Sequence, residues 1–286
     1  MTFPRPTRIL LYVVLILFVF AFVIPFWADI TTSLKTNMDV IVTVPVVPPL
    51  DGILRIFGLV SPSPTLEPWM IAFQIMGRPL LNSLEFTIFA TILSCLIGSI
   101  NGYVLSKIRF RGSNMIFLFF SIAIFIPYQT VLIPLVLTMS RLGLFNTLAA
   151  LILAHTTYGI PICTLLFRNF YKDIPESLTM AAKTDGAGTW RIYQSILLPL
   201  SALPFVVAGV FQFTSIWNDY LFGLVLAQGI DAQPASVALA NLKGTSTASW
   251  NVLMAGAIWY ALPLVIVYLV LGKYLIKGYM AGAVKG

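Results

Sequence analysis

Charge is scarce in this 286-residue chain: Asp, Glu, Lys and Arg make up 9% of it, where a soluble globular chain carries about a quarter. There is one histidine, so a His-x-x-x-His metal pair is excluded. The two cysteines, Cys95 and Cys163, lie inside apolar runs without metal-ligand spacing, and they report neither a metal site nor a redox compartment. No Gly-x4-Gly-Lys-Ser/Thr loop is present to cradle nucleotide phosphates, because Gly272-Lys273 is followed by Tyr274. A Gly-x-Ser-x-Gly nucleophile elbow is missing as well. The sequence therefore predicts no catalytic residue, no metal site and no cofactor bound by this chain.

Apolar and aromatic residues instead make up 59% of the chain. They fall in runs of about 20, the length that crosses a bilayer at about 1.5 Å per helical residue. The runs predict six spans, at 9–30, 80–104, 114–138, 148–169, 201–226 and 253–276. The first run is too long for the apolar core of a signal peptide and lacks a small-x-small cleavage site, so it reads as a retained span. With the N-terminus inside, the outer segments hold only Lys35, Arg55, Arg78, Arg141 and Lys243 of the 17 basic side chains. That bias predicts both termini in the cytoplasm. The net charge of +7 is then a topology signal rather than a nucleic-acid footprint. The expected fold is all-α, a polytopic six-helix membrane bundle. Its parts are a tail and first span at 1–30, an outer loop at 31–78, a membrane core at 79–276 and a cytoplasmic tail at 277–286.

The outer loop is rich in proline (Pro45, Pro48, Pro49, Pro62, Pro64 and Pro68), which forbids a continuous span there. Leu66 to Met76, opened by Pro64-Thr65, reads as a short helix at the membrane surface. The loop either packs over the bundle or offers a docking surface.

The connection at 171–199 reads as a helix–turn–helix on the cytoplasmic side. Asp173 is expected to cap a helix, Pro175 to sit in its first turn, and Glu176 to favour its positive end. Leu178, Ala181 and Ala182 share one small apolar face. Gly186 permits the left-handed turn that ends the helix, and a second helix runs from Thr189 towards Ile196 before Pro199. The stretch Met180-Ala-Ala-Lys-Thr-Asp-Gly-Ala187, followed by Ile196-Leu-Leu-Pro199, resembles the EAA loop in permease subunits of binding-protein-dependent ABC importers. The likeness is strongest to the carbohydrate branch and its smaller maltose-type subunit. Asn82-Ser-Leu84, Tyr103 to Gly112, Ile126-Pro-Tyr-Gln129, Trp217-Asn-Asp219 and Ala281 to Gly286 extend it over nearly the whole chain.

The resemblance implies a coupling helix that docks into a cleft of a separate ATPase, through Met180, Ala181, Ala182, Asp185, Gly186 and Ala187. Met180 replaces the glutamate that names the motif, so docking leans on shape, on Asp185 and on Gly186. The tail Ala281–Gly286 is either a frayed end or an element that reaches the ATPase interface. The implied partners are a second, homologous permease subunit, an ATPase dimer that uses ATP and Mg, an extracytoplasmic sugar-binding protein and membrane lipid, with no nucleic acid. The implied place is a prokaryotic cell membrane. Phe125-Ile-Pro-Tyr-Gln129, Phe167-Arg-Asn-Phe-Tyr171, Ile216 to Gly223, Gln233 to Leu242 and Gly244 to Asn251 look like glucose/mannose-type importers. A monosaccharide such as glucose or mannose is thus expected, with a disaccharide such as maltose or trehalose as the alternative. An ion-coupled carrier would need a coupling-ion site and normally an internal repeat. Neither a repeat nor a paired intramembrane carboxylate is seen, although Glu85 and Asp219 stand as separate candidates.

Polar side chains inside a span are costly and normally face a bundle interior or a cavity. Gln212, Ser215 and Asp219 share one face of the fifth span, flanked by Trp217 and Asn218. Hydrogen-bonding groups beside an aromatic plane suit a sugar, and interhelical hydrogen bonding is the competing reading. Pro127 and Pro134 break the third span, which makes Tyr128 and Gln129 pathway candidates unless the kink serves packing alone. His155 lies beside Thr156, Thr157 and Tyr158 with no titratable residue at helical spacing, and is expected to be a packing residue.

Overall fold

The computed structural model describes residues 4–49, 64–244 and 249–283. Among the described residues it is helical, with no strand. In chain order the elements are α1 (Arg5–Ser33), α2 (Asn37–Val42), α3 (Glu67–Lys107), α4 (Ser113–Ala123), a 3-10 turn at Tyr128–Val131, α5 (Leu132–Arg141), α6 (Leu148–Asp173) and α7 (Glu176–Thr184). Then come α8 (Thr189–Ile192), a π-turn at Tyr193–Leu197, α9 (Leu198–Leu200), α10 (Ala202–Trp217), α11 (Leu221–Leu226), α12 (Ala235–Gly244) and α13 (Trp250–Ala283).

Four helices, α1, α3, α6 and α13, are each long and apolar enough to cross a bilayer. Two bent pairs bring the number to as many as six: α4 with the segment Tyr128–Arg141, bent by 93°, and Thr189–Leu200 with α10, bent by 75°. The first bend falls where Pro127 takes extended backbone (φ −61°, ψ 118°) and removes a donor. The predicted third span is therefore two helices rather than one kinked rod. Leu66–Met76 is not a separate surface helix, because from Glu67 onward it forms the opening turns of α3. With 41 residues, α3 runs about 61 Å at 1.5 Å per residue, twice the hydrocarbon thickness. The predicted fifth span, 201–226, is likewise broken: α10 stops at Trp217, and α11 restarts at Leu221.

The chain divides into two compact units, residues 1–77 with 238–262 and residues 78–237 with 263–286. In the first unit, α1 buries nothing before Thr31, and its exposed side chains are almost all aliphatic or aromatic. The described start of the proline-rich segment, residues 44–46, is fastened to the end of α1. The Trp27 indole N–H donates to the Val46 carbonyl (2.8 Å), the Thr31 hydroxyl donates to that of Pro45, and the Lys35 ammonium donates to that of Val44 (2.8 Å). Lys35 is fully buried, and its carbonyl accepts from Asn251 Nδ2 at 2.7 Å. Burial lowers its pKa, and the nearby Asp39 carboxylate works against that shift. The described part of the outer loop is thus packed, with α2 opened by a reciprocal Thr36–Asp39 cap.

In the second unit, α3 and α6 approach backbone to backbone through small residues. A Cβ built on Gly98 would lie 2.9 Å from the Cys163 carbonyl carbon, and one on Gly102 would lie 2.7 Å from the Arg168 nitrogen. Close approach of this kind is the usual packing device between membrane helices. Towards the end of α3 that leads to Lys107, Ser99 lies 2.6 Å from the Tyr171 hydroxyl and 3.1 Å from that of Tyr193, and Ser201 donates to Tyr171 at 3.0 Å. This polar knot is buried within an apolar cluster that includes Phe167 and Leu197. Buried polar groups that satisfy one another rigidify what they join, here α3, α6 and the segment after α8.

Candidate functional site

Two places in the second unit gather the residues singled out from the sequence. The first is the segment α7–Gly186–α8. Asp173 ends α6 instead of capping α7, and α7 begins at Glu176 with Pro175 at its N-cap and no side-chain cap. The predicted turn is present. Gly186 has φ +79°, its N–H donates to the Lys183 carbonyl (3.0 Å), and the Ala187 N–H donates to the Ala182 carbonyl (2.9 Å). That pair of bonds is a Schellman closure, whose left-handed position glycine fills without strain.

Within α7 only Thr179 is buried. Leu178, Ala181 and Asp185 are exposed and Ala182 is half-buried, so the predicted apolar face points away from the rest of the unit. Met180 is 58% exposed but stands on the opposite side. There, with Glu176 and Lys183, it lines a cleft of about 550 Å³ whose other wall includes Tyr103, Lys107 and Arg109. The six expected coupling residues are thus split between two faces. The segment is also tied to α3, since Lys107 Nζ donates to the Ile174 carbonyl (2.6 Å) and the Tyr103 hydroxyl donates to that of Thr189 (3.0 Å). These bonds and the Ser99–Tyr171–Tyr193–Ser201 knot join the segment that carries α7 and α8 to α3.

The second place is a cavity of about 280 Å³, lined by Tyr128, Tyr158, Gln212, Ser215, Asn218 and Phe222 together with His155 and Asp219. Five of the six expected pathway residues meet here, and Gln129 does not line it. Tyr128 is brought in by the 3-10 turn that follows Pro127. The break after α10 brings in Asp219, whose carboxylate accepts the Phe222 N–H in the first turn of α11 at 2.9 Å. Gln212 fits because residue 159 is glycine: a Cβ there would meet the Gln212 amide and the Ser94 hydroxyl. His155 was expected to be a packing residue, and its ring does stack on Phe86 (5.6 Å, 10°) and meet Phe222 edge-on (5.2 Å, 70°). Its Nε2 nonetheless faces Asp219 Oδ2 at 3.8 Å. Helical spacing within α6 does not reveal that partner, which lies in a different segment. Among the described residues, no group of three or more metal-ligating side chains occurs.

Residues 90–280 match the family described as binding-protein-dependent transport system inner membrane component. The chain belongs to this family. Along its length it is 52% identical to a probable ABC transporter permease of Pyrococcus horikoshii, over 98% of both chains. It is 34% identical to the xylose/arabinose import permease of Haloferax volcanii, over 95% of this chain and 91% of that one. The fold is shared with a solved bacterial ABC transporter involved in alginate import, at a TM-score of 0.73 and 21% identity, covering 96% of this chain and 99% of that one. As a member of this family the chain is a multi-pass inner-membrane component and not itself an enzyme.

Proposed function

We propose that this chain is one membrane-spanning subunit of an ATP-driven ABC importer of neutral sugars, that it forms half of the translocation pathway, and that a separate chain hydrolyses the ATP. The single observation that carries the coupling role is the outward-facing small apolar surface of α7, closed by Gly186 and tied to α3 through Lys107 and Tyr103. A face of small side chains lets a partner seat closely, and its hydrogen bonds to the bundle turn seating into rigid-body movement. ATP then drives transport because the nucleotide-bound partner favours one of two bundle conformations. The proposed partners are an ATPase dimer, a homologous second permease and an extracytoplasmic binding protein. Both termini would lie in the cytoplasm, with α7 on that side.

The sugar assignment draws on the relatives and on the second cavity. Besides the pentose permease, relatives include an alpha-glucoside permease of Rhizobium meliloti and an arabinooligosaccharide permease of Halalkalibacterium halodurans. These names do not single out glucose or mannose and are compatible with a disaccharide. The cavity offers uncharged donors and acceptors at Gln212, Ser215 and Asn218 beside the rings of Tyr128 and Tyr158. At about 280 Å³ it falls just under the ~300–1,000 Å³ of ordinary ligand pockets, the scale of one sugar ring.

The test is ATP hydrolysis by the reconstituted complex, with binding protein supplied empty or loaded with glucose, mannose, xylose, maltose or trehalose. Stimulation by a loaded form is expected. A complex that hydrolyses ATP regardless of sugar would overturn the substrate, and failure of any ATPase to associate would overturn the importer in favour of an ion-coupled carrier.

A further inference from the structure

The reading of the second cavity as part of a sugar pathway leaves one feature unexplained: an ionisable pair held at a distance that is neither a hydrogen bond nor a separation. His155 Nε2 and Asp219 Oδ2 are 3.8 Å apart, and their side chains are only 7% and 11% exposed. Such groups inside a membrane helix bundle are expensive and seldom idle. Neither is free to close the gap. The His155 ring is clamped between the parallel face of Phe86 and the edge-on Phe222. The Asp219 carboxylate is anchored by the Phe222 N–H, and its backbone carbonyl accepts from Ser236 Oγ at 2.7 Å. The pair opens into the cavity that also contains Gln212, Ser215 and Asn218.

We propose that His155 and Asp219 form a specificity-determining subsite that takes a single sugar hydroxyl into the gap between them. An oxygen about 2.8 Å from each atom spans a 3.8 Å separation at ordinary hydrogen-bond lengths. A hydroxyl suits the position because it gives and receives at once: its proton goes to the carboxylate, and its lone pair accepts from Nε2–H. An ammonium group has no lone pair to accept from Nε2–H, and a carboxylate ligand would face Asp219 with like charge. The subsite therefore selects neutral polyols and reads one ring position. A ligand lacking that hydroxyl leaves two buried polar groups unpaired, the situation in which a binding site discriminates most strongly.

This assignment rests on the sugar-importer reading, and the experiment separates the two. The complete transporter is reconstituted in liposomes with ATP inside and binding protein outside. Uptake is measured for the stimulating sugar of the panel above and for each of its monodeoxy analogues, with the wild type, Asp219→Asn and His155→Gln. The binding protein discriminates equally in all three, so its contribution cancels between them. We expect one deoxy position at which the wild type loses about 10- to 100-fold in kcat/KM, and at which both variants lose less than about 3-fold. Because each variant is compared with itself, partial loss of folded complex cannot produce that pattern. An identical discrimination profile in all three transporters would overturn the subsite and leave the pair bridged by water alone. If no sugar is taken up by the wild type, the importer reading fails first and the subsite falls with it.

Discussion

Replacing Gly102 by alanine tests the contact on which the second unit depends. The new Cβ would lie 2.7 Å from the Arg168 backbone nitrogen, 2.8 Å from Phe167 Cβ and 2.9 Å from the Phe167 carbonyl carbon. Carbon atoms rest at about 3.5–4.0 Å, so α3 and α6 must part by most of an ångström. None of these atoms belongs to a flexible side-chain end, and backbone cannot yield locally. Overpacking of this kind costs about 1–3 kcal/mol. For a unit of this size, that scale corresponds to a fall of about 2–12 °C in the melting temperature. Gly209→Ala is the matched control, because nothing lies within 4 Å of its added methyl and α10 gains helix propensity there. Thermal unfolding of the detergent-solubilised complex should rank Gly102→Ala below wild type and Gly209→Ala level with it or above. If Gly102→Ala melts at or above the control, the helices do not approach as described.

Further tests address the site and its surroundings. Gly186→Trp, at φ +79° and facing open space, should leave the chain inserted while abolishing sugar-stimulated ATP hydrolysis; unchanged transport would remove α7 from the coupling path. Tyr171→Phe removes the hydroxyl shared by Ser99 and Ser201, which keep Tyr193 and the Leu197 carbonyl as partners, and should cost about 0.5–1.5 kcal/mol in unfolding free energy, with weaker coupling of hydrolysis to uptake. Asn146, at φ +61°, accepts the Gly229 N–H at 2.7 Å. Asn146→Ala should speed hydrogen exchange at Gly229, and Asn146→Asp, which keeps the acceptor, should restore protection. Gly159→Ala should displace the Gln212 amide and change transport KM more than the melting temperature.

Much of this molecule was legible in the residues because membrane helices obey simple rules. Run length located α1, α6 and α13, and the left-handed requirement at Gly186 located the turn after α7. The six coupling residues were found as one motif, yet a motif is linear and a helix has sides: Met180 and Ala181 face different ways because successive residues are about 100° apart. Proline content predicted a break near Pro127 but not a bend of 93°, since its size is set by what α4 and Tyr128–Arg141 pack against. Polar periodicity in the predicted fifth span collected Gln212, Ser215 and Asp219, and all three line one cavity although α10 ends before Asp219. Asp219 and His155 are 64 positions apart in sequence, and only tertiary structure brings them together.

The unpacked surface of α1 bears on how the protein is made. Its 29 residues bury nothing before Thr31 and carry a mean hydropathy of 3.1 over their most apolar window. Partitioning into lipid asks for no helix partner, so α1 is able to leave the translocon as soon as it is synthesised. By contrast, α6 carries His155 and Arg168, and half of its most apolar window is buried against other parts of the chain. Of the helices packed against it, α3 and α4 are made before α6, while α10 and α11 are made after it. A helix like α1 can therefore settle in lipid at once, whereas the burial of α6 is complete only after α10 and α11 have emerged and packed against it.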